Sequence, residues 1–92
     1  MVHNPVVYNK YTGYPSDAVY VGRGSAFGNP FVIGPDGTRD EVIDKFRAWF
    51  LSRPRLVAKA KQELSGKDLV CFCAPRRCHA DVLLEIANSR QE

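Results

Sequence analysis

The sequence predicts a small α/β protein in which a short, mostly parallel sheet is covered by about three helices, in two or three layers. Three observations predict it. Short apolar, β-branched runs recur at residues 5–8, 18–21 and 68–73. Apolar residues at helical spacing fill the stretch between the second and third runs, and loops rich in glycine or broken by proline follow both of those runs. Two strands joined by a helical crossover pair most naturally in parallel and with right-handed connection, which is a Rossmann-like arrangement. Residues 1–92 are expected to form a single domain, with 45% hydrophobic residues supplying one core.

Residues 5–8 suit a first strand, and Tyr11-Thr12-Gly13-Tyr14-Pro15 reads as a turn whose tyrosines are expected half-buried at the sheet margin. The second strand, 18–21, is expected to be well buried and to end at Gly22. Residues 22–31 then hold three glycines, two aromatics, a proline and an asparagine. That composition suits backbone approaching a ligand or an anion-binding nest, and equally a tight loop that needs glycine for its own geometry. The spacing is neither the dinucleotide fingerprint nor a phosphate-loop lysine motif.

The turn Gly34-Pro35-Asp36-Gly37 leads into Thr38-Arg39-Asp40-Glu41, a capping box with Thr38 as the cap and Glu41 reaching back. In the helix that follows, Val42, Ile43, Phe46, Trp49 and Phe50 share one face, which assigns the tryptophan and both phenylalanines to the core. Pro54 ends that helix or opens a second one, which packs through Leu56, Val57, Ala58, Ala60 and Leu64 and stops at Ser65-Gly66. Residues 68–73 are apolar on both faces, as a central strand is. After Pro75 a last helix runs from Cys78 or His79 through Val82, Leu83, Ile86 and Ala87 to near Asn88, and residues 89–92 read as a frayed end.

The first residues lack the basic region and apolar run of a secretory signal, and no run approaches the roughly 20 apolar residues of a membrane span, so a cytoplasmic protein is expected. All three cysteines fall at positions 71, 73 and 78, which excludes a dispersed disulfide framework and points to a reducing compartment. Strand geometry makes a Cys71–Cys73 bridge difficult, whereas one from Cys73 to Cys78 is sterically open. A formal net charge of +3 is too small to imply nucleic acid by itself. Arg23, Arg76 and Arg77 sit in loops after strands, while Arg39, Lys45, Arg47, Lys59 and Lys61 read as solvated helix faces.

If the second and third strands are parallel, the loops at 22–31 and 74–79 leave the same sheet edge, where ligands of open α/β folds bind. The start of the last helix adds unsatisfied N–H groups and a dipole that stabilise negative charge. Cys78 there, with Arg76, Arg77 and His79 nearby, is expected to be partly thiolate. Asp81 in the first turn is read first as a cap and second as a catalytic group. Together these features point to a nucleotide-type or other anionic small ligand. Arg23, Gly24, Ser25, Gly28 and Asn29 would form one wall of its site, and Arg76, Arg77 and the helix start the other. A catalytic version would use Cys78 or Cys73 as nucleophile and His79 or Asp81 as acid or base at a glycosidic or phosphate linkage, although no triad spacing supports it.

At these residues the chain resembles a small bacterial and phage family, domain of unknown function 4326. The resemblance rests on Val21-Gly22-Arg23-Gly24-Ser25 with Gly28-Asn29-Pro30-Phe31, on the helix bearing Phe46 and Trp49, and on Leu69-Val70-Cys71-Phe72-Cys73-Ala74-Pro75 with Cys78-His79-Ala80-Asp81-Val82-Leu83. Phe72 and Ala80 stand where the family pattern usually has tryptophan and glycine. The resemblance implies no established activity; the family's frequency in phages implies a small accessory protein acting in a bacterial host.

Two further readings of the same residues remain open. Cys71, Cys73, Cys78 and His79 are the right number and type of ligands for a structural zinc site, with three of them plus His3 as a variant. Their spacing lacks the usual paired two-residue gaps, and Cys71 alone reads more simply as a small buried residue of a central strand. The last reading is a module without chemistry that binds nucleic acid or a host protein through Tyr8, Tyr11, Tyr14, Arg23 and Arg76.

Overall fold

The computed structural model describes residues 5–72 and 76–88. Three parallel strands, β1 (Val7–Asn9), β2 (Val19–Tyr20) and β3 (Leu69–Cys71), form one sheet in the order β1-β3-β2. Val7 and Val19 both stand opposite Leu69, and Tyr8 and Tyr20 opposite Val70. Backbone bonds extend the pairing on both flanks of β3, from Lys10 N to Cys71 O at 2.9 Å and from Val21 N to Val70 O at 3.0 Å. Every residue of β3 is buried, which matches a run with no polar alternation.

β2 departs from its expected burial. Among the described residues it lies at the sheet edge with one strand neighbour, so Val19 and Tyr20 are half-buried and full burial begins at Val21. The turn after β1 departs too, with Tyr11 83% exposed and Tyr14 41% exposed. Asn9 holds that turn by accepting Tyr11 N–H on its side chain at 2.8 Å and Thr12 N–H on its carbonyl at 3.2 Å, which turns the chain away from the sheet margin.

α1 (Arg39–Leu51) begins as the spacing predicts, with both arms of the capping box formed. The Thr38 hydroxyl accepts Glu41 N–H at 3.3 Å, and the Glu41 carboxylate accepts Thr38 N–H at 2.8 Å. α2 (Pro54–Leu64) has proline in its first turn, where a missing N–H costs nothing, and Gly66 beyond its end adopts φ +74°. α3 (His79–Asn88) packs on β3 and against both other helices. Phe46, Phe50, Leu64, Leu69 and Leu83 are inaccessible to solvent at the centre of this packing, and each buried side chain contributes roughly 1.5–3 kcal/mol. Trp49 lies half-buried against the core with the Arg53 guanidinium 4.9 Å from its ring. Among the described residues no helix is long and apolar enough to cross a membrane.

Candidate functional site

The start of α3 is built by a capping arrangement in which cysteine takes the place usually held by serine or threonine. Cys78 N–H donates to the Asp81 carboxylate at 3.0 Å, and the Cys78 sulfur accepts Ala80 N–H at 3.2 Å. Asp81 is therefore engaged as the return arm of the cap. Cys78 is buried, and its Sγ lies 2.8 Å from the Sγ of Cys71, the last residue of β3. Cys71 is buried as expected, but it meets the thiol of Cys78. Cys73, to which a bridge from Cys78 was open, lies outside the described residues.

His79 follows directly and joins two elements. Its Nε2 and the Val21 carbonyl are 2.7 Å apart, so the ring donates to the residue that follows β2, and its edge stands on Phe46 with ring centroids 5.2 Å apart. Burial holds the imidazole below its ordinary pKa of 6.5, against the raising effect of the Val21 carbonyl, while the Arg23 charge pushes further down and Asp81 pushes up. The ring is neutral at pH 7. Nε2 carries the proton, which leaves Nδ1 with the lone pair.

On the facing side, residues 22–31 form a loop braced from within. Tyr20 reaches over Gly22 and donates its hydroxyl to the Arg23 carbonyl at 3.0 Å, and a Cβ at position 22 would lie 2.4 Å from that phenolic oxygen. Gly24 has φ +90°, a conformation that other residues adopt with strain. The Ser25 hydroxyl donates to the Gly22 carbonyl at 2.6 Å and accepts Phe27 N–H at 3.3 Å. Asn29 donates to the Val42 carbonyl at 3.3 Å and accepts Phe31 N–H at 2.8 Å, which ties the loop to α1. Ser25 and Asn29 thus use their polar atoms on the loop itself and on α1.

The 22–31 loop and the start of α3 border one cleft of about 300 Å³. Gly22, Arg23 and Asn29 form one side, Cys71, Cys78 and His79 the other, and Phe31, Val32, Ile33 and Phe72 supply apolar walls. Arg39 also lines it while donating to the Arg77 carbonyl at 3.3 Å. Arg39 had read as part of a solvated face. It stands at the first position of α1, and helix starts in such folds cluster at the edge where parallel strands end, which is the signal that would have found it.

Gly24, Ser25, Gly28 and Arg76 do not line the cleft. Gly28 packs against the loop's own backbone, where a Cβ would lie 3.0 Å from the Gly22 carbonyl oxygen. Arg76 is exposed. Arg77 turns to α1, donating to Asp40 at 2.8 Å and Asp44 at 3.2 Å, because two carboxylates one helical turn apart present a paired acceptor. Those carboxylates hold the guanidinium above its ordinary pKa. Of the four zinc-type ligands, Cys73 lies outside the described residues, as does His3. Among the described residues no three histidine, cysteine or acidic side chains gather into a group that could hold a metal ion.

The comparisons fit this arrangement to a family. The family model described as Domain of unknown function (DUF4326) matches residues 6–89, which include the 22–31 loop and the start of α3. The chain is 38% identical over 87 residues to an "Uncharacterized 12.4 kDa protein in nrdA-td intergenic region" of Enterobacteria phage T4, covering 89% of this chain and 76% of that protein. No solved structure matches the chain. The matched span runs from the residue before β1 through α3, and on that extent the chain belongs to the domain of unknown function 4326 family.

Proposed function

We propose that this protein binds an anionic small molecule with a planar or apolar body, of the nucleotide type, in the cleft between the 22–31 loop and the start of α3. The observation that supports it best is the meeting of two guanidinium groups, Arg23 and Arg39, with an apolar cleft at the carboxyl edge of a parallel sheet. The cleft volume of about 300 Å³ is at the small end for ligand sites and suits a single nucleotide or a similar anion. Phe31, Val32, Ile33 and Phe72 would cover the apolar body, and the guanidinium groups would hold the anionic end through charge-assisted bonds. Neutral His79 adds one acceptor, at Nδ1.

The test is binding of nucleoside monophosphates and diphosphates, with the parent nucleosides as controls, by thermal shift and titration calorimetry. A nucleotide is expected to raise Tm where its nucleoside does not, and Arg23→Ala is expected to weaken binding at least about tenfold. No stabilisation by any nucleotide, or equal binding by Arg23→Ala, would remove the reading.

One observation favours a second reading, an interaction surface for single-stranded nucleic acid. Phe72 stands 5.2 Å from the exposed Tyr11 ring and 5.9 Å from Tyr20, with the Lys10 ammonium 4.9 Å from the Tyr20 ring. Aromatic faces beside a cation suit stacked bases and backbone phosphate. That surface would bind oligonucleotides with an affinity that falls steeply with salt and falls further in Tyr11→Ala. Salt-independent binding, or none, would eliminate it.

A further inference from the structure

The cleft floor holds a chemical feature that ligand binding does not require. Cys71 at the end of β3 and Cys78 before α3 are almost completely buried, at 1% and 2% exposure, and their sulfurs are 2.8 Å apart. That is closer than two non-bonded sulfurs ordinarily approach. Both residues line the cleft, so the pair is reached from solvent past Val32, Ile33 and Phe72, each more than a third exposed. Packing alone would be served by alanine or valine at either position. We propose that Cys71 and Cys78 are a dithiol site that exchanges with low-molecular-weight disulfides through the cleft and closes into a reversible Cys71–Cys78 bridge.

The two sulfurs are not equivalent. Ala80 N–H donates to the Cys78 sulfur at 3.2 Å from the first turn of α3, and that sulfur lies 2.8 Å from the Cys71 sulfur, with either thiol able to donate to the other. An accepting sulfur at a helix start is the better nucleophile because its thiolate is stabilised there. In the first step the Cys78 sulfur attacks a disulfide RSSR; an S–S bond between Cys78 and one RS group forms, the RS–SR bond breaks, and the leaving RS⁻ takes up the proton that Cys78 gave up. In the second step the Cys71 sulfur attacks Cys78 in the mixed disulfide, the Cys71–Cys78 bond forms, and a second RSH leaves with the Cys71 proton. Two protein thiols are oxidised and one small disulfide is reduced to two thiols. The proposal does not depend on the cleft binding nucleotides.

The bridge would join β3 to α3 across the six residues 72–77, which include Cys73, the competing thiol. Trypsin cuts after Lys67, Arg76 and Arg77, so Cys71 and Cys78 fall on different peptides. The test is the intact mass and peptide map of folded Cys73→Ser protein after treatment with 2-hydroxyethyl disulfide. The expected product is about 2 Da lighter than the dithiol. Its two peptides should be linked, and its Tm should be higher by about 5–10 °C. Adding Cys71→Ser should stop the reaction at a mixed disulfide on Cys78, and adding Cys78→Ser should leave Cys71 at least about tenfold slower to react. Should either double variant fail to fold, the unsubstituted chain decides on its own: one trivalent phenylarsenical should bind per chain, and fragmentation of its linked 68–76 peptide between residues 71 and 73 should place the bridge to Cys78 on Cys71. Thiols that stay unmodified when the folded protein is treated, stable adducts on both cysteines, or a bridge through Cys73 would each overturn the proposal.

Discussion

His79 is where the chemistry of the cleft and the stability of the fold share one side chain. Its folded-state pKa is below 6.5 because burial disfavours the imidazolium, with the Arg23 charge acting in the same direction. The unfolded chain therefore takes up a proton more readily, and protonation favours unfolding. The stabilising contribution is complete above about pH 6.5 and is lost as pH falls through the lower folded-state value. Wild-type Tm should fall between pH 7 and pH 5 more steeply than that of His79→Gln, whose amide donates to the Val21 carbonyl without titrating. Equal slopes would show that another group governs the acid side. Close approach at Gly22 gives a second residue-scale expectation. Gly22→Ala sets a methyl against the Tyr20 ring, so it should lose on the order of 1–3 kcal/mol in urea unfolding and weaken any ligand held by Arg23. That the loop needs glycine was legible in the sequence. Which glycine is held by a close neighbour was not, because Tyr20 enters the loop only once β2 is aligned beside β3.

At the scale of elements, helix starts were the most legible features and strand environments the least. Thr38 and Glu41 sit three apart ahead of an apolar face, and that local pattern is enough to produce the cap because it needs no distant partner. The cap of α3 uses the same chemistry with Cys78 and Asp81, and it was only half visible because cysteine is not an ordinary capping residue. Asp81→Ala should destabilise the protein by about 1 kcal/mol, a Tm decrease of roughly 4–8 °C for a chain of this size. Asp81→Asn, which keeps an acceptor, should recover most of it. An Asp81→Ala protein with unchanged Tm would mean that the cap contributes nothing. For β2, the apolar run predicted a strand correctly and its burial too generously. A hydrophobic pattern reports which residues prefer to be covered, and edge position is decided by the order of strands.

For the whole molecule, Phe46 is fully buried where α1 meets α3, and its ring stands against Trp49, Phe50 and His79 at centroid distances of 6.0, 5.3 and 5.2 Å. Phe46→Ala should cost about 3–5 kcal/mol, a large part of the roughly 5–15 kcal/mol that holds such a domain folded, and should lower the urea midpoint accordingly. Because the same ring supports His79, it should also disturb the cleft. The ion pairs that tie α1 to α3 and its preceding loop, Arg47 with Glu85 and Arg77 with Asp40 and Asp44, are solvent-exposed, so they orient these elements more than they stabilise them.

The sequence by itself determined the α/β class, the three helices with their starts and stops, the central place of the strand at Leu69–Cys71, and the meeting of the 22–31 loop with the start of α3 at one sheet edge. Each of these follows from local periodicity, capping chemistry or the topology of a parallel pair. Tertiary structure alone decided which side chains face the cleft. Arg77 was drawn away by a pair of carboxylates on α1, Arg39 was brought in by the helix start, and Ser25 and Asn29 were taken up by backbone groups of the loop and α1. It also decided that Cys71 meets Cys78, since the contact depends on where α3 begins relative to the end of β3. Side-chain partners are chosen by competition among all the groups within reach, and that set exists only once the chain has packed.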